Sequence, residues 1–320
     1  MGLFNEMGAC WLEPGADATV PNEFAWNSNA SVLFEEVFPD RAHLPIHIAA
    51  ESYGGHYAPV YLDHILESRR LRSRDAFWGK ISSLMLVDAV IDVAAPAVGA
   101  YEFLCKGFGH HGKIINDTAC EALRLSVPKI LELGRDCDAG DDGYGCYGLE
   151  AYLEEEVHPY FYEEVEAGKR NPFNAHVEKA LDLPYSFVFE DVDLALNSAY
   201  TRSKDSFRPT SRELARVLDA HRTSNLGDIR ALVLQGNEDY IVNTPGNMWA
   251  YDNLRWSGLA DYRLAPWREL PERMAATGLW KSSGRLAFVA VDGAGHTVPG
   301  DVRDGSYRIA QEWFQGGWRA

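Results

Sequence analysis

Ile46-His-Ile-Ala-Ala-Glu-Ser-Tyr-Gly-Gly-His-Tyr57 constrains the fold more than any other stretch of this chain. Its apolar start reads as a buried strand and Tyr57–Arg69 behind it as a helix, which leaves a turn of a few residues between them. Ser52 sits at the apex. A strand that bends this sharply into a helix brings two backbones close together, so the residues flanking the apex must be small. Ala50 and Gly54 meet that need in the small-x-Ser-x-Gly frame Ala50-Glu51-Ser52-Tyr53-Gly54, with alanine where glycine is commoner. Such a frame is short enough to arise by chance. Ser52 becomes a candidate nucleophile only if the chain also supplies a base to take its proton and an acid to orient that base.

Two later segments supply them. Ala231-Leu-Val-Leu-Gln235 is an apolar run followed by Gly236-Asn-Glu-Asp-Tyr-Ile-Val-Asn243, which places Asp239 just past a strand end. Leu286-Ala-Phe-Val-Ala-Val291 is another, followed by Asp292-Gly-Ala-Gly-His-Thr-Val-Pro299, which places His296 in a glycine-rich loop. Alone, Asp239 reads as a solvated turn acid and His296 as a loop histidine. Together with Ser52 they stand in the order serine, acid, histidine, each after a strand, as in α/β-hydrolases. The expected fold is therefore an α/β-hydrolase fold with a central, mostly parallel sheet.

Glu-Ser-Tyr-Gly-Gly-His-Tyr-Ala-Pro around Ser52, Gly-Asn-Glu-Asp before Tyr240 and Gly-Ala-Gly-His-Thr-Val-Pro around His296 resemble the serine carboxypeptidases, the carboxypeptidase Y type in particular. The resemblance extends to Gly2-Leu-Phe-Asn-Glu-Met-Gly8, Trp26-Asn-Ser-Asn-Ala-Ser-Val-Leu-Phe34 and Glu312-Trp-Phe-Gln-Gly-Gly317, and is weakest in the middle of the chain. It implies removal of single residues from peptide or protein C-termini through an acyl-enzyme, without metal or organic cofactor. Ser52 would be the nucleophile, His296 the general base and then acid, and Asp239 the orienting carboxylate. The backbone N–H of Tyr53, next after the nucleophile, would be one oxyanion donor, and its ring would line a substrate pocket. Glu6 and Glu51 fall where the family's motifs place acids that bind the substrate's terminal carboxylate. An acid can hold a carboxylate only through a shared proton, which a pair of close carboxyls provides because each raises the other's pKa. A preference for mildly acidic conditions follows. Without the resemblance Glu51 is a helix-start acid favoured by the dipole, and Glu6 an ordinary surface acid.

Relative to the family pattern two pieces are expected to be missing. An Asn-Gly-Gly-Pro-Gly segment, which carries a second oxyanion donor, precedes Gly-Leu-Phe in the family, whereas this chain opens at Met1-Gly2-Leu3. Only Glu35 to Pro45 separate the apolar runs at 31–34 and 46–50, short of the dozen or more residues a parallel crossover usually needs. Pro39 and Pro45 discourage helix there. Three readings stay open on these grounds: a serine-type carboxypeptidase, an acyltransferase or esterase on the same scaffold, and a catalytically impaired or inactive relative.

The core is expected in two pieces, 1–95 and 226–320, with 96–225 as a cap insertion that holds helical segments such as 148–156 and 212–221. It also holds four of the five cysteines. Cys105 and Cys120 bracket one glycine-rich loop and Cys137 and Cys146 another, short polar loops of the kind disulfides staple. Sequence alone leaves the pairing open. The resemblance implies Cys105–Cys120 and Cys137–Cys146, with Cys10 left over. No CxxC pair or histidine cluster accompanies them to suggest a metal. Asn29-Ala-Ser31 and Asn116-Asp-Thr118 are glycosylation sequons.

Charge and hydropathy narrow the partners. Thirty basic against 47 acidic residues give a net charge of −17, which argues against nucleic acid or an anionic membrane surface. No apolar stretch approaches the length of a membrane span. The residues after Met1 lack the basic and apolar regions of a signal peptide, although the resemblance implies the secretory pathway, in a vacuole or lysosome or outside the cell. Oligomeric state is not legible from the sequence.

Overall fold

The computed structural model describes residues 10–11, 20–25, 44–74, 76–108, 112–139, 144–162, 195, 198–199, 202, 207–222 and 227–318. Strands β1 (Cys10–Trp11) and β2 (Val20–Pro21) form a small antiparallel pair of their own. The main sheet is built from β3 (Ile46–Glu51), β4 (Ile81–Val87), β5 (Arg230–Gly236), β6 (Arg268–Glu269), β7 (Gly278–Ser282) and β8 (Leu286–Val291). Their order across it is β3-β4-β5-β8-β7-β6. The first four run parallel, and β7 and β6 continue the sheet antiparallel. The expected strand at 31–34 lies outside the described residues.

Near-continuous apolar runs form β4, β5 and β8 because this parallel sheet is covered on both faces. Alternate residues of each run serve different layers. Leu84, Leu86, Ala231, Val233, Leu286 and Phe288 face one cluster with Leu62 and Leu66 of α1 (Gly54–Arg70). Met85, Val87, Leu232, Leu234, Val289 and Val291 face the other. Helices α2 (Ala94–Tyr101), α3 (Asp117–Ala139), α4 (Tyr144–Glu156) and α5 (Pro159–Tyr162) follow β4. The first three of these share a third apolar cluster that includes Ala97, Leu123, Ile130, Leu149 and Leu153.

Two helices then close the first face. Leu214, Val217 and Leu218 make the buried stripe of α6 (Ser211–Asp219), and α7 (Thr244–Asp252) contributes Tyr251. A short α8 (Leu259–Leu264) precedes the antiparallel strands. Beyond β8 come α9 (Val298–Asp301) and α10 (Arg303–Phe314), which lays Ile309 and Trp313 on the second face. The architecture is an α/β-hydrolase fold. Ser52, Asp239 and His296 all follow the carboxyl ends of parallel strands, the edge at which open α/β sheets carry their sites.

Two disulfides staple the helical segment. Cys105 is bonded to Cys120 and Cys137 to Cys146, closing separations of 15 and 9 residues. Loops of this size are worth about 3 kcal/mol each by chain entropy. Asn116 is exposed at the start of α3, where its side-chain oxygen accepts the Ala119 N–H at 2.9 Å. Asn29 lies outside the described residues. Among the described residues, no helix is long and apolar enough to cross a membrane.

Candidate active site

The turn at Ser52 is as tight as its sequence demands. Ser52 adopts φ 55°, a left-handed conformation that costs a non-glycine residue about 1–3 kcal/mol and survives only where neighbours hold it. Its N–H donates to the Val87 carbonyl at 3.0 Å, and its own carbonyl accepts the Val90 N–H at 3.0 Å. The apex is thereby pinned to the end of β4 and to the turn that follows it. A Cβ on Gly54 would come within 2.9 Å of the Ala50 Cβ, and one on Gly55 within 2.6 Å of the Val90 carbonyl oxygen. Glycine at 54 and 55 is therefore what lets the helix start this close to the strand.

The acid turn and the histidine turn are stitched together. Asn237 N–H donates to the Val291 carbonyl, Glu238 N–H to the Ala294 carbonyl, and Asn237 Nδ2 to Asp292 Oδ1 at 2.7 Å. The Asp301 carboxylate accepts the Gly295 N–H at 2.8 Å and anchors the loop around His296. A Cβ on Gly236 would lie 2.1 Å from the Gly295 carbonyl oxygen, so only glycine lets the two turns approach this closely.

A hydrogen-bonded relay results. Asp239 is 1% exposed, and its Oδ1 accepts the N–H groups of Ile241 at 2.9 Å and Val242 at 3.1 Å. Its Oδ2 lies 2.7 Å from His296 Nδ1, and His296 Nε2 lies 2.8 Å from Ser52 Oγ. With the imidazole proton on Nδ1 and donated to the carboxylate, Nε2 is left to accept the serine hydroxyl. The His296 side chain keeps 27% of its surface exposed while the Asp239 side chain keeps none, so a substrate reaches the serine and histidine but not the acid. This arrangement can make serine a nucleophile and then return its proton to a leaving group.

The other sequence-derived residues fall around the relay. Tyr53 precedes the first turn of α1, its ring stacked on His56 at 4.9 Å and edge-on to Tyr57 at 5.1 Å. Glu51 ends β3 opposite Val87. Glu6 lies outside the described residues. A cavity of about 180 Å³ opens beside the acid turn, lined by Tyr240 and Ile241 together with Val90, Ala97, Leu153 and Val157.

Of the polar residues behind the acid turn, the sequence marks only Asp88, in Asp88-Ala-Val at the end of a strand-like run, and gives it no role. Asn243 caps α7 by accepting the Gly246 N–H at 3.0 Å and ties it to α2 through the Pro96 carbonyl at 2.8 Å. Gln235, Asn247 and Asp88 are buried close by.

The family model for serine carboxypeptidases matches residues 34–316. Carboxypeptidase Y homolog A of Coccidioides posadasii (strain C735) is 23% identical over 380 residues, which cover 99% of this chain and 67% of that protein. Its namesake in Phaeosphaeria nodorum (strain SN15) is 23% identical over 375 residues, covering 99% of this chain and 65% of the relative. The chain thus spans about two thirds of the length of the curated relatives it matches. Among solved structures, Kex1(delta)p, a prohormone-processing carboxypeptidase from Saccharomyces cerevisiae, superposes with a TM-score of 0.66 at 17% identity, over 98% of this chain and 79% of that one. That likeness speaks for the fold, and the match of the family model to most of the sequence settles the lineage: the chain belongs to the serine carboxypeptidase family.

Proposed function

We propose that this protein is a serine-type carboxypeptidase that releases single residues from the C-termini of peptides or proteins. The observation that carries the reading is the continuous relay from Asp239 through His296 to Ser52, at 2.7 and 2.8 Å. Ser52 Oγ attacks the last peptide carbonyl as its proton passes to His296 Nε2. The oxyanion that forms faces the Tyr53 N–H, a type of contact worth about 10²–10³-fold in turnover. His296 then protonates the departing amine, the terminal residue leaves, and water discharges the acyl-enzyme by the same relay in reverse. Glu51, with Glu6, holds the free terminal carboxylate through a shared proton, which favours mildly acidic conditions. The apolar cavity beside Ile241 takes the side chain on the acyl side of the scissile bond.

In the same reading, residues 1–95 and 226–320 are the hydrolase core and 96–225 a cap over the site, apart from α6, whose buried stripe packs on the core sheet. The two disulfides and the family membership support a place in the secretory pathway, in a vacuole or lysosome or outside the cell. A test uses paired peptides with free and amidated C-termini. The chain should release the terminal residue from the free peptide, Ser52→Ala should abolish release, and Glu51→Gln should slow the free peptide far more than the amidated one. Full activity in Ser52→Ala, or equal losses of Glu51→Gln on both peptides, would refute the assignment of that residue.

A further inference from the structure

Asp88 is a fully buried acid directly behind the relay, and no step of hydrolysis uses it. It follows β4 with φ 42°, a left-handed conformation that aspartate tolerates better than most residues. Its Oδ1 accepts the Gly236 N–H at 2.7 Å and Gln235 Nε2 at 3.0 Å. Both donors lead to Asp239. The Gly236 carbonyl accepts the Asp239 N–H at 3.2 Å, closing the turn that presents the acid. Gln235 Nε2 also reaches the Val242 carbonyl at 2.7 Å, and the Val242 N–H in turn binds Asp239 Oδ1. Asn247 Nδ2 holds the far side of the Gln235 amide at 2.5 Å. Backbone pairing adds a third tie, Asp88 N–H to the Leu234 carbonyl at 2.9 Å.

We infer that Asp88 is a positioning residue for the relay, a clamp whose carboxyl fixes the turn carrying Asp239 against the end of β4. The clamp works with the carboxyl neutral. Burial, then the negative charge of Asp239 and that of Glu51, push its pKa well above the usual carboxylate range, against the Gly236 and Val298 N–H groups that favour the charged form. Oδ1 takes the Gly236 and Gln235 donors, so the proton of the neutral carboxyl belongs on Oδ2. A neutral clamp spares His296 a second negative charge, which would raise its pKa and keep it protonated when it must act as a base. Placement to within about 1 Å is what a relay of this kind depends on, and losing it costs up to about 10²-fold.

The inference rests on the hydrolase reading only for what the turn is for, so one measurement is independent of activity. Asp88→Asn keeps the Oδ1 acceptor and stays neutral. Asp88→Gly removes the carboxyl while relaxing the backbone, so any loss belongs to the carboxyl and not to strain. Amide hydrogen exchange at Gly236 should be at least about 100-fold faster in Asp88→Gly than in wild type, and within a fewfold of wild type in Asp88→Asn. The rate at which a fluorophosphonate labels Ser52, followed from pH 4 to 8, should fall about 10–100-fold in Asp88→Gly. It should keep its magnitude within about threefold and its midpoint in Asp88→Asn. Unchanged Gly236 protection in Asp88→Gly overturns the clamp. A shifted midpoint or a loss beyond tenfold in Asp88→Asn overturns the neutral carboxyl, and decides that point even if Asp88→Gly does not fold. A wild type that never labels refutes the hydrolase reading instead, and the clamp then stands or falls on exchange at Gly236.

Discussion

Asp92→Asn should stabilise the protein at neutral pH by up to about 3 kcal/mol and leave it unchanged near pH 4. Asp92 lies in the turn between β4 and α2, where Oδ1 accepts the Ala94 N–H at 2.9 Å. Burial outweighs that hydrogen bond and, with a smaller push from the charge of Asp138, raises the carboxyl from 3.8 to about 6. Asp138 is itself paired with Arg212 at 3.1 Å, which explains why its share is small. The sign follows from proton counting. Between the two values the native state holds a proton that the unfolded chain has released, so the stabilisation is complete below about pH 4 and is lost as pH rises through about 6. A shift of about two units is worth about 3 kcal/mol. Asparagine keeps the acceptor for Ala94 and never ionises, so it removes that loss. Urea unfolding of both proteins from pH 4 to 8 measures it. The stability difference should start near zero, climb between pH 4 and 6, and level off above. A difference that stays flat across the range, or a variant less stable than wild type at pH 7, refutes the reasoning. Asp138→Asn is a useful control, since it should lower the plateau only slightly.

Two further outcomes concern the opposite end of the sheet and the cavity. His47 Nδ1 lies 2.7 Å from the Ser83 hydroxyl, which also accepts Trp313 Nε1 at 2.9 Å, and burial followed by the charge of Arg230 lowers the imidazole pKa. Native His47 thus stays neutral where the unfolded residue takes a proton, so its contribution is intact above about pH 6.5 and is lost as pH falls toward the lowered native value. His47→Asn, which keeps an acceptor for Ser83, should flatten that acid limb in urea unfolding at pH 7 and pH 5; an unchanged pH 7-to-5 loss would refute the role. Ala97→Phe should fill the cavity of about 180 Å³ and lower kcat/KM by about tenfold or more for peptides with a large apolar residue before the scissile bond. Peptides with alanine there should be spared, and equal losses on both would show that the cavity does not hold that side chain.

What the sequence made legible was local. Ser52, Asp239 and His296 each follow an apolar run within a few residues, so run, turn and polar residue could be read together. The helices at 54–70 and 211–219 were legible as helical runs at 57–69 and 212–221. Residues whose meaning depends on distant partners stayed dark. Lys281 looks like an exposed charge, yet it is 4% exposed, with its ammonium 4.1 Å from the Tyr262 ring centroid and 2.7 Å from Asp252 Oδ1. That polar pattern hid β7, and with it the antiparallel edge of the sheet. Asp88 and Gln235 are 147 positions apart and hydrogen-bonded, each a polar residue at the end of an otherwise apolar strand. Either alone resembles a strand terminus facing water. Only parallel pairing of β4 with β5 puts one beside the other, where water is excluded and the Gln235 amide can donate to the Asp88 carboxyl. A buried polar group left without its partner costs about 1–3 kcal/mol, more if charged, so the two residues make sense only as a pair. The proposed nucleophile, base and acid are recognisable from their own neighbourhoods. The groups that hold them still are recognisable only once the strands have been set side by side.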